Sequence, residues 1–223
     1  SWAISSRIIG AIIMTHGDDQ GLVLPPRLAP IQAVIVPIFR KDEEKEKVME
    51  VADRVFMELK AAGIRVKMDD RDNVSSGFKF NDWEMRGVPV RIEIGPRDVE
   101  KNSAAVSRRD KPGKEGKVFL SQDGLVPQIA QLLDEIHHGM LDRATKFRDE
   151  NTHEVDNYED FKTAVSTGFA RVWWAGSNED EDRVKEETKA TIRCIPLDQP
   201  GGTGACFYTG KTANKIAIFA RAY

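Results

Sequence analysis

IQAVIVPIF, residues 31–39, constrains the fold of this chain more than any other stretch. It is short, rich in β-branched residues and apolar without alternation, which is the pattern of a strand buried on both faces of a parallel sheet. A parallel neighbour needs a crossover of a dozen or more residues, and the next segment supplies one. In KDEEKEKVMEVADRVFMELKAAG, Val48, Val51, Val55, Phe56 and Leu59 fall at helical spacing, and Gly63 follows as a stop. IRVKMDD reads as a second strand. SSGFKFNDWEMRG reads as a helix with a Ser N-cap and a Gly stop, and PVRIEIGPRD as a third, alternating strand. NSAAVSRRDKPGKEGKVFL reads as a hairpin with a Lys/Gly-rich turn, and LVPQIAQLLDEIHHGMLDRATKFRDEN as a long amphipathic helix. Strands alternating with helices predict an α/β unit around a mixed central sheet.

Upstream, SWAISSRIIGAIIMTHGD reads as a strand leading into a helix. Arg7 to Met14 is apolar nearly all round, which predicts burial. GLVLPPRLAP has three prolines in six residues, which forbids a helix and predicts an extended connector with a domain boundary near Pro30. From about Thr152 the pattern is helix (NYEDFKTAVSTG), strand (FARVWWAG), highly charged helix (NEDEDRVKEETKA) and strand (TIRCIPL). A Gly-rich turn and closing strand follow, in PGGTGACFYTGKTANKIAIFARAY. This is a small α+β arrangement, and no internal repeat is visible.

At 223 residues the chain has room for one to two domains. Its net charge of −3 excludes a generic polyanion binder but leaves room for local basic patches. Cys194 and Cys206 do not make a disulfide framework. The first residues lack a signal-peptide pattern, and the longest apolar run, IIGAIIM, is too short to span a bilayer. These features predict a cytoplasmic protein without a membrane partner.

Four stretches could carry chemistry. Arg7 is the single charge within its apolar run. It reads either as a snorkelling or salt-bridged arginine or as an anion clamp. In DDRDNVSSGFKFNDWEMRGVPVRIEIGPRD, Arg71, Lys79, Arg86, Arg91 and Arg97 interleave with Phe78, Phe80 and Trp83. Such a pattern can track a single-stranded backbone and stack bases. A solvated helix face with core aromatics is the commoner reading. Cys206 lies in a Gly-rich turn that could be half of a zinc knuckle, but zinc needs four ligands and only Cys194 accompanies it. PGGTG is too short for a phosphate loop, and no helix follows it.

Three stretches together resemble prolyl-tRNA synthetase, a class II aminoacyl-tRNA synthetase, of the archaeal and eukaryotic-like type. SWAISSRIIGAIIMTHGDDQGLVLPPRLAPIQAVIVPI resembles the third class II motif and its run into the anticodon-binding domain. RDNVSSGFKFNDWEMRGVPVRIEIGPRD resembles the anticodon-recognition stretch. CIPLDQPGGTGACFYTGKTANKIAIFARAY is similar to the extra C-terminal domain, which ends in tyrosine. The resemblance covers the whole chain and keeps the family's order. It implies three parts: the end of a catalytic domain (1–30), an α/β anticodon-binding domain (31–138) and a small α+β C-terminal domain (139–223). It also implies a chain that starts within the last catalytic motif, lacks the first two, and does not catalyse adenylation alone.

The resemblance places Arg7 where the family binds ATP phosphate, a role that suits an always-charged bidentate donor. Ser1 and Trp2 match the proline pocket, and the family usually has glycine where Ala3 stands. No general acid, base or nucleophile is assigned. Base recognition falls to Phe80 as a stacking ring, Glu84 as an acceptor from a guanine Watson–Crick edge, and Arg97 as a donor to guanine O6 or N7. Proline anticodons share two guanines. Arg91 reads as a phosphate or structural contact. The zinc ligands of relatives fall at Ala175, Asp180, Cys206 and Thr209; three of the four are gone, so no zinc is expected. The Tyr223 carboxylate is expected to reach towards the catalytic domain. The full enzyme would activate proline with ATP and magnesium, transfer it to tRNA-Pro and act as a homodimer. The competing reading is a stand-alone, non-catalytic tRNA-binding module, against which stands Arg7 with its intact flanking run.

Overall fold

A computed structural model describes residues 5–111 and 113–221. Ser1, Trp2, Ala3 and Tyr223 lie outside the described residues. The chain divides into two compact units, with the division between Arg143 and Ala144.

In the first unit the chain runs α1 (Arg7–His16), β1 (Ala33–Pro37), α2 (Asp42–Ala61), β2 (Val66–Met68), α3 (Ser76–Met85), β3 (Val90–Ile94), α4 (Pro96–Glu100), β4 (Ser103–Arg108), β5 (Lys117–Ser121) and α5 (Leu125–Glu150). The sheet order is β2-β1-β3-β4-β5. β1 is parallel to β2 and β3, and β3, β4 and β5 are antiparallel. The mixed sheet follows from the connections: helical crossovers join the parallel strands, and a hairpin joins β4 to β5. All five residues of β1 are buried, as an apolar run without alternation requires.

One sheet face carries the main core. Ile35, Ile92, Ile94 and Val106 meet Val48, Ala52, Val55 and Leu59 of α2 and Leu125, Ile129, Leu133, Ile136 and Met140 of α5. Both helices present these residues at three- and four-residue steps, so each buries one stripe. α3 packs on the other face, where Trp83 and Val88 cover Val34 and Val36.

α1 departs from expectation. It forms a helix, but none of its residues is buried, and Ile8, Ile9, Ile13 and Met14 are 44–64% exposed. All-round hydrophobicity is a demand for covering surface, and no described element supplies it.

In the second unit the elements are β6 (Thr152–Glu154), α6 (Tyr158–Thr167), β7 (Phe169–Trp173), α7 (Asn178–Thr188), β8 (Ala190–Cys194), β9 (Gly204–Ala205), β10 (Thr212–Ala213) and β11 (Ile216–Arg221). Four strands form a sheet in the order β6-β7-β11-β8, and β9 pairs with β10. Phe161, Val165, Val184, Val172 and Phe219 form its core together with Phe207 from the Gly-rich turn. The rings of Phe161 and Phe207 stack 4.3 Å apart. Asn157 caps α6, and a Ser177–Asp180 capping box starts α7. The 138/139 boundary implied by resemblance falls inside α5, as does the division into units. Among the described residues, no helix is long and apolar enough to cross a membrane.

Two histidines of the first unit are held below their ordinary pKa. Burial lowers His16, helped by Arg143. Burial also lowers His137, helped by Arg27 and His138. The His137 Nδ1 is buried with no partner among the described residues. The unfolded chain therefore binds more protons than the folded one just below pH 6.5, so stability falls as pH drops from 6.5 towards the folded values. Urea midpoints measured from pH 5 to 8 should decline on the acid side. The double variant His16→Asn/His137→Asn should show a flatter decline over that window.

Candidate nucleic-acid interface

α3 is fixed before it can present anything. Ser75 caps it by accepting from the Phe78 N–H at 3.2 Å. Asp69, buried at the end of β2, accepts from the Trp83 indole N–H at 2.7 Å and from Arg71 at 2.8 and 2.7 Å. Arg71 also donates to Asp82, and the buried Lys79 donates to the Asp69 carbonyl. Burial opposes the Asp69 charge, but Arg71, the Trp83 N–H and Lys79 outweigh it and hold the carboxyl at about 2. Much of the basic and aromatic pattern in this stretch is therefore internal. Lys79 and Trp83 are core residues, not surface contacts.

The half-buried part of the pattern converges beside β3. The Arg91 guanidinium lies 4.1 Å from the centre of the Phe80 ring. It donates to Glu84 Oε1 at 2.6 Å and, through Nε, to Glu93 Oε1 at 3.1 Å. Glu93 is buried and also accepts from Lys117 at 2.7 Å and from the Ser107 hydroxyl at 3.4 Å. Arg91 is thus a structural contact among α3, β3 and two carboxylates. The second Glu84 oxygen, Oε2, has no partner among the described residues. Glu84 lines an open pocket of about 120 Å³ with Gln20, Arg91, Ser107, Arg109 and Lys117, among others. The sequence signalled Glu84 and Phe80. Glu93, Ser107 and Lys117 were not singled out, because only strand register brings them there.

A second set of contacts ties the 18–24 segment to the end of α3. Leu22 N–H donates to the Met85 carbonyl at 3.0 Å. Arg109, buried, donates to the Glu84 carbonyl at 2.9 Å and makes a bidentate pair with Asp18. That pair lowers the Asp18 pKa. Gly21 and Gly87 both have positive φ, and a Cβ on either would come within 2.6 Å of the facing segment.

Two family matches divide the chain in the same order as its folded parts. The family "Anticodon binding domain" matches residues 32–127, and "Prolyl-tRNA synthetase, C-terminal" matches residues 158–223. The proline–tRNA ligase of Roseiflexus sp. (strain RS-1) is 56% identical over 223 residues, covering all of this chain and 46% of the relative. The chloroplastic/mitochondrial proline–tRNA ligase of Arabidopsis thaliana is 55% identical over 227 residues, covering 42% of its length. Proline–tRNA ligase 2 of Clostridioides difficile (strain 630) is 49% identical over 225 residues, covering 46%. The chain matches the C-terminal part of prolyl-tRNA synthetases along its whole length. It spans a little under half the length of the curated relatives it matches.

The other residues to which the prolyl-tRNA synthetase resemblance gave roles are spread apart. Arg97 lies on α4, beyond the end of β3, exposed and without an ion-pair partner among the described residues. Structure does not bring it against Glu84. Arg7 opens α1 and is exposed. Of the family's zinc positions, three converge. The buried Cys206 sulfur lies among the Thr209 hydroxyl and the backbone N–H groups of Thr209, Ala175 and Tyr208, all of which favour the thiolate. Burial raises the thiol pKa, but these donors outweigh it and the net shift is downward. Asp180 instead turns to Ser177, accepting at 2.9 and 3.0 Å. Among the described residues no three His, Cys, Asp or Glu side chains group as a metal site.

The glycine pair makes a testable contrast. Gly63 and Gly87 both have positive φ, but a Cβ on Gly63 would meet nothing within 4 Å. Gly63→Ala should cost about 1 kcal/mol of left-handed strain. Gly87→Ala should cost at least twice as much in denaturant unfolding, because it also pushes against Leu22.

Proposed function

We propose that this chain serves a proline–tRNA ligase by reading the anticodon of tRNA-Pro and supplying an ATP-binding arginine. The observation that carries the reading is the half-satisfied Glu84 carboxylate. One oxygen is fixed by Arg91, the other has no partner among the described residues, and Glu84 lines an open pocket. A carboxylate so held can accept from guanine N1–H and N2–H without first reorganising. Phe80, with Arg91 across one face, offers a ring for stacking. Arg97, free of protein partners among the described residues, can donate to guanine O6 and N7.

Arg7 would bind ATP phosphate, with Ser1 and Trp2 at the proline and Tyr223 near the active site. The ligase would use magnesium with ATP, act as a homodimer and work in the cytoplasm. The parts would be the end of the catalytic domain (1–30), the anticodon-binding domain (31–138) and the C-terminal domain (139–223). The relatives, each a ligase by name, favour this over a stand-alone binding module.

Glu84→Ala and Arg97→Ala should each lose about 1–3 kcal/mol of discrimination between tRNA-Pro and a transcript with its anticodon guanines replaced. Equal losses for both transcripts would make the residue a backbone contact and overturn its base-reading role. The chain should also carry no stoichiometric zinc, since Cys206 is the one thiol left among the four ligand positions. One zinc per chain on elemental analysis would reverse that.

A further inference from the structure

Phe119 is 70% exposed, and its position sets it apart from the scattered apolar residues normal on a surface. It stands on β5, the outermost strand. Strand register aligns Arg91, Ser107 and Lys117 in one row and Glu93, Ala105 and Phe119 in the next. Both rows lie on the face opposite the main core, the face that holds Glu84 and Phe80. α3 covers that face over β1 and β3. In these rows Glu93 and Ala105 are buried and Ser107 is half-buried, so Phe119 is the exposed apolar side chain at the sheet edge. The Lys117 ammonium lies 5.9 Å from the ring centre.

We propose that Phe119 is a second stacking platform for single-stranded RNA, taking a nucleotide next to those read at Glu84. The inference rests on the tRNA reading above and extends it to a residue to which that reading gives no role. Strand spacing puts Phe119 about 10 Å across the sheet and about 7 Å along it from Arg91, on which Phe80 lies. The two backbone positions are thus about 12 Å apart, and Phe119 serves a nucleotide other than the one at Phe80. An exposed aromatic at a sheet edge beside cationic side chains is the chemistry that holds unpaired bases. Every base has a π face, so this contact adds affinity without choosing sequence.

That difference separates Phe119 from Glu84 in a binding experiment on the whole chain. Phe119→Ala should weaken binding of tRNA-Pro by about 5- to 150-fold, the range for removing an aromatic from beneath one base. It should weaken the guanine-replaced transcript by the same factor and leave the salt dependence unchanged, because no phosphate contact is lost. Phe119→Trp should restore affinity, and its added fluorescence should be quenched on binding. Unchanged affinity for Phe119→Ala, with Glu84→Ala still impaired, overturns this inference alone. A changed salt slope, or a shift in oligomeric state in place of tRNA affinity, also overturns it. If the unmodified chain does not bind tRNA-Pro, the functional reading falls and takes this inference with it.

Discussion

Asp69 is the constraint on which the face carrying Phe80 and Glu84 depends. A buried carboxylate is costly unless it is paired and hydrogen-bonded. Its donors come from Arg71 in the following loop and from Lys79 and Trp83 on α3. Satisfying that one charge anchors the helix to the end of β2. Phe80 and Glu84 inherit their positions from it. Glu93 repeats the device further along the sheet, taking Arg91, Ser107 and Lys117. Two buried acids therefore arrange a set of cations whose heads would otherwise wander.

This pre-arrangement bears on how such a face could bind. Long side chains lose rotamer freedom when they are immobilised by a ligand. Arg91 has already lost it, held by Glu84, Glu93 and the Phe80 ring. The backbone beneath Glu84 is equally restrained, since its carbonyl accepts from Arg109 and from the Gly87 N–H. The end of α3 and the 18–24 segment are thus tied to each other through Arg109, Asp18 and Leu22.

The sequence disclosed most of this fold through short-range periodicity. The β1 run, the α2 and α5 stripes, the Ser75 cap and the Gly87 stop are local signals, and each element stands where its pattern put it. β6 escaped because three residues of mixed polarity, Thr-His-Glu, have no period to detect. The burial of α1 was misjudged because hydrophobicity states a need for cover, not its presence. At the candidate site, residue types on α3 were legible. Which cations face inward was not: Lys79 and Arg86 look alike in sequence, yet one serves Asp69 from the core and the other pairs with Asp82 at the surface. Glu93 and Lys117 are 24 positions apart, and only the β3–β4–β5 register joins them.

The two cysteines of this chain differ in a way that has practical use. Cys206 is enclosed by the turn around it, whereas Cys194 is exposed at the end of β8. Thiol chemistry needs access as well as thiolate character. A maleimide dye at short exposure would therefore mark a single position without any engineered substitution. That gives the second unit a native spectroscopic reporter, against which dyes placed elsewhere could measure distances in solution.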